Sequence, residues 1–211
     1  EDGKAFAAWF DVTDRGNWEH SNILNTPRDL DAVVAEVGLT SEALNDIIAR
    51  GKCKLYGVRE TRVRPGRDEK ILAGWNGWML AAFADAALAF NRPDHLDAVR
   101  RNADFLVDRM MDGSRLYRSY KEGRRKIPGL LEDYAGVAWG LIAAFEATQN
   151  MRYLENARAL AGEIATRFVD RENGGFFDTP DDHERLIARP KDVFDNATPG
   201  GNSVAIDVFN R

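Results

Sequence analysis

The stretch "GLLEDYAGVAWGLIAAFEAT", residues 129–148, decides the fold, because the chain writes it twice. Residues 70–86 read "KILAGWNGWMLAAFADA", roughly sixty residues earlier, a spacing that marks an internal repeat of stacked supersecondary units. Each copy opens on aromatic and polar residues, Trp75-Asn76 in one and Glu132-Asp133-Tyr134 in the other. Each then runs apolar to a single acid, Asp85 or Glu146. A helix that is hydrophobic on all sides is buried on all sides, so buried helices are predicted over 78–90 and 136–147.

Working outward, each buried helix is followed by an amphipathic one. Leu96, Val99, Ala103, Leu106 and Met110 form one apolar stripe; Leu154, Ala157, Ala161, Ile164 and Phe168 form the other. Steps of three and four set that stripe against the buried partner. Gly-marked, aromatic-rich stretches come next, 112–124 and 173–190, and read as short hairpins. A third copy begins at "DNATPGGNSVAIDVF", and a partial earlier one closes at "DVTDRGNWEHSNIL", another Gly-turn hairpin. Between them, helices are predicted over 29–38 and 41–59. Thr40 or Ser41 is the N-cap, and Leu44, Ile47, Ile48 and Leu55 face inward.

Buried inner helices, amphipathic outer helices and short hairpins describe an all-α chain. It is read as about half a ring of an α/α toroid (six-hairpin-like), with short β-hairpins between the helical hairpins. An open α-solenoid is the alternative. The expectation is a single domain over 1–211, truncated at both ends, since the chain stops at "GNSVAIDVFNR" inside an apolar periodic stretch.

The 211 residues carry a net charge of −5, with 44% hydrophobic and 30% charged residues interspersed. This argues against a nucleic-acid groove, and no apolar run approaches the roughly 20 residues of a membrane span. One cysteine, Cys53, excludes an internal disulfide and a Cys-x-x-Cys pair and fits a reducing, cytoplasmic setting. His20, His95 and His183 are too scattered for a zinc motif, so neither metal nor cofactor is expected.

"RVRPGRDEKILAGWNGWML", "LLEDYAGVAWGLIAAFEAT", "NGGFFDT" and "RPKDVFDNATPGGNSVAIDV", in this order, resemble the helical domain of the YyaL-type proteins, which include spermatogenesis-associated thioredoxin-like proteins. The resemblance covers almost the whole chain. It implies an α/α toroid related to sugar epimerases and six-hairpin glycosidases, preceded in the full-length protein by a thioredoxin-like domain that this chain does not contain. It implies no firmly established activity.

In a toroid the N-terminal ends of the inner helices face a common funnel. Helix N-termini offer free N–H groups and a partial positive charge. Trp75, Asn76, Tyr134, Asn202 and Arg118, with Trp18 and Phe177 at the rim, are therefore candidate binders of a small sugar: rings stack on its C–H faces, and amides and charges bond its hydroxyls. Asp133, with Asp68 or Asp195 as partner, is the candidate acid/base pair of a glycoside hydrolase. A sugar epimerase or isomerase would need a base such as histidine, and the resemblance implies histidines on inner elements where this chain has none; His20 also departs from the family's small residue there. The competing reading is structural. Asp133 caps a helix, Trp75 and Tyr134 are core aromatics, and the chain is a non-catalytic scaffold accompanying the thioredoxin-like domain. Half a ring leaves inner faces open, so self-association is also expected.

Overall fold

The computed structural model describes residues 1–184 and 187–211. The chain forms two compact units, Glu1–Arg67 and Asp68–Arg211.

In the N-terminal unit, α1 (Asp2–Trp9), α2 (Leu30–Val37) and α3 (Ser41–Glu60) enclose a small core of Ala5, Phe10, Val33, Leu44, Ile47 and Ile48. Thr40 caps α3, its side chain accepting from the Ala43 N–H at 3.2 Å. Gly51 lets α1 close on α3, since a Cβ there would stand 2.3 Å from the Phe6 ring. Leu55, expected inside, is 46% exposed: the buried residues of α3 end at Ile48. The hairpin expected at "DVTDRGNWEHSNIL" reduces to a tight bridge between Trp18 and Ser21.

The C-terminal unit carries the repeat. A shift of 58 residues takes α4 (Ala73–Phe90) onto α6 (Leu131–Thr148), and α5 (Pro93–Phe105) onto α7 (Met151–Glu163). It also superposes the π-helical turns that end the outer helices, Leu106–Met110 and Ile164–Phe168. α8 (Gly201–Asn210) opens the third copy. The inner helices α4 and α6 cross at glycines: a Cβ on Gly77 would meet the Gly136 carbonyl oxygen, and one on Gly140 the Gly77 carbonyl oxygen, both at 2.4 Å.

The first aromatic stretch is a meander rather than one hairpin. β3 (Arg115–Lys121) pairs antiparallel with β2 (Met111–Asp112) at one end and with β4 (Arg124–Pro128) along its length. β1 (Ile71–Leu72) joins its other edge, with Leu72 opposite Ser119. Among its described residues the second stretch, 173–190, forms no named strand and carries an isolated bridge between Val169 and Phe176. Pro180, Pro190 and the left-handed Gly174 and Gly175 break any ladder, and positions 185 and 186 of that expectation lie outside the described residues. α6 is buried on nearly all sides, as its composition requires. α4 is not: Trp75, Met79, Leu88 and Phe90 are exposed, because α6 and α5 cover only part of its surface.

Candidate functional site

The paired N-termini of α4 and α6 create the candidate site. Gly74, without a side chain, lets the Asp133 carboxylate reach across: Oδ1 accepts from the Gly74 N–H at 3.1 Å. Oδ2 accepts from the Leu130 N–H at 3.0 Å, the backward half of a capping box. Arg118 on β3 completes the set, donating to Asp133 at 3.0 Å and to Glu132 at 2.6 Å. Asp133 is 3% exposed. Burial raises its carboxyl above the usual carboxylate range, against the pull of the Leu130 N–H and the Arg118 charge.

Glu132 is half exposed and lines two cavities. The smaller, about 20 Å³, lies between Trp75, Trp78, Arg118 and Asp133; it has room for about one water. Its neighbour, about 200 Å³, shares Glu132, Thr198 and Pro199 and adds Asp178, Asp192 and Asn196. That is below the usual 300–1,000 Å³ of a ligand pocket, so a ligand would lie across both cavities and project outward. Burial raises the Asp178 carboxyl, opposed by the Asp192 N–H, while the Asp192 and Glu132 charges push it further up.

The other expected residues sit as follows. Trp75 is 69% exposed and free to stack. Asn76 donates to the Leu72 carbonyl at 2.8 Å. Tyr134 is a core strut rather than a platform: it is 2% exposed, packs on Phe168 and accepts the Leu116 N–H at its hydroxyl. Asn202 is a buried latch that donates to the Phe176 and Asp192 carbonyls and accepts from the Phe176 N–H. Phe177 lies under Arg189 and Lys191, which occupy its ring. Trp18 belongs to the N-terminal unit.

Neither proposed partner of Asp133 lines the cleft. Asp68 is exposed and paired with Lys70, which holds its carboxyl low. Asp195 is engaged at the start of α8, where the Gly200 N–H and then the Ser203 hydroxyl lower its carboxyl. The carboxylates brought to Glu132 are instead Asp178 and Asp192. Both stand inside motifs already singled out, "NGGFFDT" and "RPKDVFDNATPGG", but nothing in their spacing links them to an acid some fifty residues away. Among the described residues no group of acids, histidines and cysteine could hold a metal ion, and no helix is long and apolar enough to cross a membrane.

Comparison with known proteins agrees with the sequence motifs. The chain is 32% identical over 202 residues to human spermatogenesis-associated protein 20, a match covering 90% of this chain and 26% of that relative. The rat protein of the same name is 33% identical over 201 residues, again 90% of this chain and 26% of the relative. The chain thus spans about a quarter of the length of the curated relatives it matches. No family model matches. Among solved structures, the cellobiose 2-epimerase of Spirochaeta thermophila superposes with a TM-score of 0.56 at 18% identity, over 69% of this chain and 38% of that one. A sugar epimerase from a ruminal bacterium gives 0.52 at 14% identity, over 70% of this chain and 39% of that one. The resemblance to the spermatogenesis-associated, YyaL-type proteins holds over nine-tenths of the chain, and the fold is of the α/α-toroid class.

Proposed function

We propose that the C-terminal unit is a carbohydrate-binding, carbohydrate-active module, with the sugar seated at the paired N-termini of α4 and α6. One observation carries this reading: an exposed indole, Trp75, stands beside an Arg118–Glu132–Asp133 cluster, and Glu132 also faces Asp178 and Asp192 in the adjoining cavity. A ring face next to carboxylates of differing environment suits a glycoside, and hydrolysis needs two carboxyl groups in distinct protonation states. Asp178, raised by burial and like charge, suits the acid; Glu132, bonded to Arg118 and lining the same cavity, suits its partner. Asp133, enclosed by three donors, positions Arg118. Hydrolase-like chemistry is favoured over epimerase-like chemistry, since among the described residues no histidine lines either cavity.

The test is a thermal-shift screen against neutral, amino and uronic sugars. A ligand at 100 times its Kd stabilises by about 2.7 kcal/mol and raises Tm by a few degrees. A shift with a neutral or amino sugar that Glu132→Gln removes supports the reading; no such shift, or one indifferent to Glu132→Gln, refutes it.

The second reading is a scaffold that accompanies a thioredoxin-like domain in the longer protein. The enclosure of Asp133 favours it, because a carboxylate holding Gly74, Leu130 and Arg118 is doing structural service. In either reading we take the protein to be cytoplasmic, on its single cysteine, and the isolated chain to associate with itself through the apolar residues left open on α4.

A further inference from the structure

Beyond Trp75, away from the carboxylates, lies a groove of about 520 Å³, within the usual range for a small-molecule site. Trp75 and Phe105 form its apolar walls. Phe105 is fixed edge-on against Tyr120, with ring centroids 5.3 Å apart. The floor holds two amides: Asn102 donates to the Asn76 side-chain oxygen at 3.3 Å, and Asn76 donates onward to Leu72. Lys70 and Arg101 stand at the rim, and among the described residues no carboxylate lines the groove although the chain is net acidic. Arg101 has no ion-pair partner among the described residues. The contact of Lys70 with Asp68, 3.1 Å, is exposed and therefore weak.

The repeat sharpens the point. The 58-residue shift carries Asn76 onto Tyr134 and Asn102 onto Leu160. Both counterparts are core side chains, 2% and 0% exposed, and β3 closes over them through the Leu116 N–H bonded to the Tyr134 hydroxyl. Packing in this repeat therefore does not call for amides at these two positions. The first copy places hydrogen-bonding groups, flanked by cations, where the second places apolar bulk.

We propose that this groove binds a monosaccharide carrying one anionic group. Its ring lies against Trp75 and Phe105, its hydroxyls bond Asn76 and Asn102, and its carboxylate or phosphate meets Arg101 and Lys70. This site meets the Glu132 cleft only at Leu72 and Trp75 and does not depend on the reading of that cleft.

Calorimetric titration of the full chain with glucose 6-phosphate, glucuronate, glucose and inorganic phosphate tests it. At least one anionic sugar binds roughly tenfold or more tighter than glucose and than phosphate, as a charge-assisted contact implies; which one binds tells phosphate from carboxylate. Arg101→Gln, at an exposed and unpaired position, weakens that binding about tenfold. Asn102→Leu, which writes in the second copy's residue, weakens it as well, and Glu132→Gln leaves it unchanged. The proposal is overturned if none of the four probes binds, if glucose or phosphate binds as tightly as the anionic sugars, or if Glu132→Gln rather than Arg101→Gln removes the heat. Failure of the Glu132 cleft as a sugar site shows separately, as neutral and amino sugars giving no response that Glu132→Gln abolishes.

Discussion

The two helical hairpins, α4–α5 and α6–α7, begin and end 58 residues apart at every boundary, yet they bury different amounts of themselves. α6 hides Leu131, Tyr134, Val137 and Leu141 almost completely, while α4 leaves Trp75, Met79, Leu88 and Phe90 in solvent. The same shift carries Trp75 and Met79 onto Asp133 and Val137, and this is the face of α6 that meets Gly74 and Gly77 of α4. The two helices are written for the same environment, but only α6 has α4 on one side and α8 on the other. An apolar sequence states a capacity for burial; a neighbour realises it.

Swapping residues between equivalent positions tests this comparison most severely. Leu160→Asn puts an amide where α7 is wholly buried and should cost about 3–5 kcal/mol in urea unfolding. The reverse change, Asn102→Leu, removes a long hydrogen bond and a buried, unpartnered oxygen, and should change stability by no more than about 1 kcal/mol. Equal penalties would mean that the two copies are packed alike after all.

The glycine seam comes next. Gly140→Val drives a side chain into the Gly77 carbonyl oxygen, which a Cβ would approach to 2.4 Å, and should destabilise by about 3 kcal/mol or more. Gly162 in α7 meets nothing within 4 Å, so Gly162→Ala should stabilise by about 0.5–1 kcal/mol through helix propensity. Similar melting temperatures for the two variants would dissolve the claim of close contact.

Tyr134→Phe is a smaller change. It strips the acceptor from the buried Leu116 N–H and should cost about 1–3 kcal/mol. Asn76, the equivalent residue, is partly buried, donates to the Leu72 carbonyl and accepts only a long 3.3 Å bond from Asn102, so Asn76→Ala should cost less.

The smallest effect is one of pH. Burial raises the Asp133 carboxyl in the folded state, so the protonated form is favoured by folding. Its contribution is complete below the ordinary aspartate value, about 3.9, and is lost as pH rises through the raised folded value. Asp133→Asn should flatten that part of the stability profile, measured by urea unfolding at stepped pH. A profile of unchanged slope would mean the carboxylate is not desolvated. Trp75, in the equivalent position, has nothing to titrate.

Much of the fold was legible in the sequence. The helices, the period, the Thr40 cap and the inward stripes of α5 and α7 follow from apolar spacing and capping chemistry, which act over a few residues. The motifs likewise carried the kinship over nine-tenths of the chain. The sequence also drew attention to the helix N-termini and to Arg118, Glu132 and Asp133. It did not reveal which acids share a cavity, which of the two readings of Tyr134 holds, that Asn202 is a buried latch, or that α4 is half open. Those facts depend on contacts between residues tens of positions apart, and the tertiary structure decided them: the missing side chain of Gly74 admits the Asp133 carboxylate, and β3 delivers Arg118 to it. Local chemistry fixes what a segment can become, and the partners brought to it by the rest of the chain fix which of its groups remain available for a ligand.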